Sequence, residues 1–187
     1  AFAAEETLSA LGISLSPTES QSLVVNEDDA IENAPYAYLQ DAQGNRLNFY
    51  PLFDASFAGM DVTALSDMEQ TDLADTLLLG SASARGVSVA RPVVTPLFYG
   101  DLPFLSITGM DANDIEQEFL FLSLPEMGLC ISMDREDQEK VDPAEGSTLA
   151  ATLATLTVTS PADPSLFPTS APLETEAPTP DATATQP

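Results

Sequence analysis

Apolar and polar positions alternate along this chain in short segments, separated by turns that carry Gly or Pro. That period predicts strands. Residues 36–39 and 46–50 are β-prone runs around Asp41-Ala42-Gln43-Gly44-Asn45, which reads as a hairpin. Residues 119–124 and 129–133 flank Pro125-Glu126-Met127-Gly128, and the same logic predicts a second hairpin. Residues 86–90 with Val93 and Val94 predict a further strand bounded by Pro92 and Pro96. Proline donates no amide hydrogen, so Pro92 must sit at an edge or a bulge. Residues 149–159 are the longest strand candidate, and the alternation from Thr155 to Thr159 suits a pleat with one wet face.

Two stretches carry helical signals instead. Ser66-Asp67-Met68-Glu69 has capping-box spacing. Met68, Leu73, Leu77 and Leu78 come after it, and Gly80 is placed to close the helix. A second short helix is expected over residues 3–11, ended by Gly12. The fold class is therefore mainly β: a sandwich or distorted barrel with one or two short helices.

An internal similarity adds to that picture. Ser56-Phe57-Ala58-Gly59-Met60-Asp61 recurs as Ser106-Ile107-Thr108-Gly109-Met110-Asp111. Phe-Tyr pairs precede both copies, Phe49-Tyr50 and Phe98-Tyr99, and acidic clusters come after both. The pattern suggests a duplication, about residues 34–85 and 86–135, giving two similar halves around one core. On this reading each Gly-Met-Asp is a turn: Gly takes φ > 0, Met fills the core and Asp caps the next element.

Residues 1–160 are read as a single domain. After Ser160 come seven of the fifteen prolines, interleaved with Thr, Ala and Ser. That composition predicts an extended linker or stalk over residues 161–187, reaching about 80 Å.

Charge narrows the functional classes. The chain of 187 residues has 30 Asp and Glu against 5 Lys and Arg, a formal net charge of −25. Four of those acids and none of the cations lie in 161–187, so residues 1–160 keep −21. Such a body repels polyanions, so nucleic acid and anionic lipid surfaces are poor partners and no nucleic-acid partner is expected. No stretch approaches the length of a membrane span, so direct membrane insertion is not expected. Ala1-Phe2-Ala3 resembles the small-residue end of a signal-peptide cleavage site and points to export.

The residue inventory narrows the chemistry further. There is no His, which removes Ser-His, Cys-His and His-ligated metal chemistry. Cys130 is the only Cys, and its neighbours Leu129 and Ile131 make it a buried apolar position. Lys140, the only Lys, lies in a charged run and is expected to be solvated. Paired carboxylates are the remaining catalytic device. Calcium is the remaining ion. Asp111, Asn113, Asp114 and Glu116 offer oxygens at close spacing, as do Asn26-Glu27-Asp28-Asp29, although neither follows EF-hand order. Ordinary acidic turns account for the same runs.

The expected role is an exported, non-catalytic structural or interaction module of a cell-surface or extracellular assembly, with a protein partner or self-assembly. An acidic calcium-dependent binding module and a carboxylate-based hydrolase are the alternatives.

Overall fold

The computed structural model describes residues 5–26, 35–52, 55–84, 90–110, 116–137 and 139–159. In chain order the elements are β1 (Glu6–Leu8), β2 (Ile13–Leu15), β3 (Ser22–Val25), β4 (Ala37–Gln40) and β5 (Asn45–Leu52). Then come α1 (Asp67–Ala84), β6 (Ala90–Tyr99), β7 (Leu102–Met110), β8 (Glu116–Ser123), β9 (Gly128–Arg135), α2 (Pro143–Ala151) and β10 (Thr157–Val158). Short 3-10 turns cover Ala55–Phe57, Val62–Ala64 and Thr152–Thr155. The mainly β expectation holds, and α1 is longer than expected.

Seven strands form one sheet in the order β3-β4-β5-β9-β8-β7-β6, every neighbouring pair antiparallel. A small sheet, β1-β2-β10, lies against one of its faces. Alternation along the central strands sends side chains to two cores. Phe104, Leu120, Leu122, Leu129 and Ile131 meet Leu8, Ile13, Leu15, Leu149, Leu153 and Leu156 from the small sheet and α2 region. Leu105, Ile107, Phe119, Phe121 and Cys130 meet Val62 and the α1 residues Leu73, Ala74 and Leu77. Strands covered on both faces need apolar residues at every position, which accounts for the unbroken run Phe119-Leu120-Phe121-Leu122 in β8.

Both predicted hairpins are present. β4 and β5 pair through Ala37↔Phe49 to Gln40↔Arg46, and Gly44 supplies φ +88° in the turn between them. β8 and β9 pair through Phe119↔Ser132 to Ser123↔Gly128. The capping box also forms: Ser66 N donates to Glu69 Oε2 at 2.8 Å, and Glu69 N donates to Ser66 Oγ at 3.3 Å.

Four expectations are corrected. Residues 149–159 are not a long strand. Asp142 caps α2 by accepting from the amides of Ala144 and Glu145, and Pro143 stands in the first turn where it needs no donor. Leu149, Leu153 and Leu156 then recur at helical spacing on one buried side, and only Thr157–Val158 is extended. The described part of the expected helix over residues 3–11, residues 5–11, is not helical. Glu6–Leu8 pairs with Ile13–Leu15, and the amides of Leu11 and Gly12 close a turn onto the Leu8 carbonyl. Gly80 does not end α1, which continues to Ala84. Pro92 and Pro96 do not bound β6 but lie within it, with a register shift between Ala90 and Val93. β6 is the edge of the sheet, where a missing donor is tolerated.

The two Gly-Met-Asp segments do not share a backbone. Ser56 and Phe57 lie in a 3-10 turn, Gly59 has φ +63° and Asp61 caps the next turn. Residues 106–110 lie instead in the extended strand β7. Asp111 falls outside the described residues, as do residues 86–89 and the expected stalk over 161–187.

Candidate functional site

Among the described residues, a connected polar arrangement lies where the β4–β5 turn meets the start of α2. Asp41 opens the turn, and its Oδ1 accepts from the amides of Gln43 and Asn45, each at 2.9 Å. This is how a short acidic side chain fixes a turn that Gly44 then completes. Asn45 starts β5 and is completely buried. Its Nδ2 donates to Asp41 Oδ2 at 2.8 Å and to Glu145 Oε1 at 3.0 Å. Glu145 stands in the first turn of α2, placed there by the Asp142 cap. One buried amide thus joins a carboxylate 4 residues before it to another 100 residues after it. Its other head, Oδ1, has no hydrogen-bond partner.

Two arginines lie beside this amide: Arg46 is next to it in β5, and Arg135 of β9 pairs with Asn45 across the two strands. Arg46 Nη2 meets Glu136 Oε1 at 3.2 Å, its Nε donates to Gln40 Oε1 at 3.0 Å, and its guanidinium lies 4.5 Å from the centre of the Tyr38 ring. Arg135 grips Asp137 through two hydrogen bonds of 3.1 and 2.8 Å. The Arg135 bond, with the amide of Glu139, holds the Asp137 carboxyl below the usual carboxylate range. Glu69 is also held low, by the Ser66 backbone amide first and the Ser66 hydroxyl second. A second polar pair sits within the large sheet. Asn48 and Ser132 face each other across β5 and β9, both buried, and Ser132 Oγ has no hydrogen-bond partner.

The carboxylates expected as calcium ligands are not assembled into a site by the described residues. Asp111, Asn113 and Asp114 lie outside them, in the connection between β7 and β8. Glu116 opens β8 opposite Met110. Of Asn26-Glu27-Asp28-Asp29, only Asn26 is described, with its amide on the Tyr36 carbonyl at 2.8 Å. Among the described residues no three of His, Cys, Asp and Glu come close enough together to hold a metal ion. Cys130 is buried, and Lys140 is exposed as expected. Arg46 has the carboxylate partner that a scarce cation in an acidic body should find.

Sequence reasoning placed Asp41 and Asn45 in a turn but missed their meeting with Glu145. The available signal was Asp142-Pro143-Ala144-Glu145, a capped helix start with an acid in its first turn. Nothing local pairs that helix with the β4–β5 turn.

No protein-family model and no curated protein matches this sequence. A search of solved structures finds a likeness to cyanobacterial PsbP (CyanoP) from Synechocystis sp. PCC 6803, a solution structure. The identity is 10% and the TM-score 0.47, over 79% of this chain and 86% of that one. A likeness that weak assigns neither a family nor a role. No described helix is long and apolar enough to cross a membrane.

Proposed function

We propose that this chain is an exported, non-catalytic structural or interaction module of a cell-surface or extracellular assembly. The supporting observation is how its carboxylates are used. Paired carboxylates are the one catalytic device the composition leaves open. Where two of them meet, at Asp41 and Glu145, the amide nitrogen of Asn45 fills the gap between their oxygens. A general acid and base need substrate or water in that position. Five other described acids serve the fold. Asp61, Glu69 and Asp142 cap turns and helices, and Glu136 and Asp137 pair with the arginines. The net charge of −25 directs the choice of partner toward neutral or cationic protein surfaces.

The test is immunodetection in fractions of the cells that make the protein, with cross-linking on intact cells. The expected result is recovery outside the cytoplasm, in a cross-linked complex with another protein or with itself. Recovery from the cytosol alone would overturn the export reading. Turnover of a glycoside or peptide by the purified chain, abolished in Asp41→Asn, would overturn the non-catalytic one.

A further inference from the structure

Strand β6 is the one long edge among the described strands, at 10 residues, whereas the edges β1, β3 and β10 have 3, 4 and 2. A long edge is a template for another strand, and proteins usually guard it with charge. Here the one charged residue of the strand is Arg91, in the irregular stretch at its start, and the regular ladder from Val93 to Tyr99 carries no charge. No acidic residue occurs between Asp75 and Asp101, in a chain with 30 of them. Val93 and Phe98 on β6 are 61% and 59% exposed.

The hydrogen-bonding phase of β6 is set by its turn. Tyr99 pairs with Leu102 across the two-residue turn Gly100-Asp101, where Gly100 has φ +62°. In such a hairpin the flanking pair is hydrogen-bonded, and bonded pairs recur every second residue. Tyr99, Leu97, Thr95 and Val93 therefore turn their amides toward β7, and Val94, Pro96 and Phe98 turn their backbone groups outward. Pro103 supports this phase. It lies opposite Phe98, so it lacks a donor only on the β8 side, where pairing does not begin until Leu105. Pro96 thus removes an outward donor at the middle of the exposed ladder. Pro92 lies within the register shift that breaks the ladder nearer its start.

We propose that Pro96, with the irregularity at Pro92, is the device that keeps the β6 edges of two copies of this chain from pairing. In a twofold pairing centred on Pro96, the two prolines face each other and both donors of the central hydrogen-bonded pair are absent. Contacts with partners then use surfaces other than this edge.

The test replaces Pro96 with a β-former and reads mass in solution by light scattering over a protein concentration series. Pro96→Val and Pro96→Thr restore the outward donor. Pro103→Val restores an inward one and is the control. The expected result is a monomeric wild type and a monomeric Pro103→Val, with Pro96→Val or Pro96→Thr shifting toward twice the mass or to fibres. Adding Phe98→Asp to the Pro96 variant should return it to monomer. A folded Pro96 variant, by circular dichroism and a cooperative thermal transition, that stays monomeric throughout overturns the proposal. So does a wild type that already associates and is dispersed by Phe98→Asp. If neither Pro96 variant folds, amide exchange of wild-type Val94 and Phe98 decides. Fast exchange agrees with an unpaired edge, and protection that rises with protein concentration overturns the proposal.

Discussion

Asn45→Asp tests whether the buried amide is what lets Asp41 and Glu145 meet. The substitution changes shape little, but it exchanges a two-hydrogen donor for a carboxylate. The lost bonds are those at 2.8 and 3.0 Å to Asp41 and Glu145. Bonds to charged acceptors are worth about 1.5–3 kcal/mol each. The new charge would sit within hydrogen-bonding distance of two others, at a residue with 0% exposure. Breaking a buried charge arrangement in this way costs about 3–5 kcal/mol, and that is the expected loss near neutral pH. Asn45→Ala separates the two effects. It removes both bonds but also removes the unpartnered Oδ1, whose burial costs about 1–3 kcal/mol. It should therefore be the milder variant.

The Asp variant also carries a pH signature. Burial and two neighbouring carboxylates both raise the folded-state pKa of the introduced group above the unfolded value of about 3.9. The folded state then holds the proton through a window in which the unfolded state has released it. Stability relative to wild type falls as pH rises through that window and recovers as pH is lowered. Urea unfolding at about pH 7 and about pH 5, monitored by circular dichroism, measures the difference. A variant within about 1 kcal/mol of wild type near neutrality, or one with the same penalty at both pH values, refutes the reasoning.

Three further outcomes are expected. Ser66→Ala removes the hydroxyl bond but keeps the backbone donor to Glu69, so the depressed Glu69 pKa should rise part of the way to its ordinary value in a carbon-13 NMR titration. Because that pKa is depressed on folding, its stabilisation is present above the unfolded pKa and lost as pH falls through the folded one. Gly100→Ala should destabilise by about 1–3 kcal/mol in the same urea assay, because φ is +62° and the new Cβ would lie 2.8 Å from the Ala154 carbonyl oxygen. Screening of the −25 charge should raise the thermal midpoint in about 1 M NaCl relative to about 20 mM NaCl. If Asp111, Asn113, Asp114 and Glu116 bind calcium, millimolar Ca²⁺ adds a shift that Mg²⁺ does not reproduce and that Asp114→Asn removes.

The features legible in the sequence were those decided within a few residues. The β4–β5 and β8–β9 hairpins were legible because a Gly-bearing turn and two β-prone runs are enough to define each. The start of α1 was legible because Ser66 and Glu69 satisfy each other's backbone locally. Residues 149–159 misled because Thr and Val carry β propensity, while the deciding signals lay upstream at Asp142 and Pro143. Their hydroxyls did not line a wet pleat. Thr155 Oγ donates to the Thr152 carbonyl at 2.7 Å and accepts from Ser16 N at 2.8 Å, tying the turn after α2 to the segment just past β2.

The Gly-Met-Asp similarity misled for the opposite reason, since like residues took unlike backbones. Met110 pairs with Glu116 in a ladder that forces extension, whereas the segment at 56–60 is held by side-chain anchoring. Ser123 Oγ accepts from Met60 N at 2.8 Å and donates to the Phe57 carbonyl at 2.7 Å, and the Gly59 amide reaches the Leu124 carbonyl. Asn45 shows the same limit at the candidate site. Its turn position was evident, but its burial and its second acceptor depend on a helix a hundred residues away. A polar side chain can be assigned a role from sequence when its partners are neighbours in the chain. When they are neighbours only in space, the fold must first bring them together.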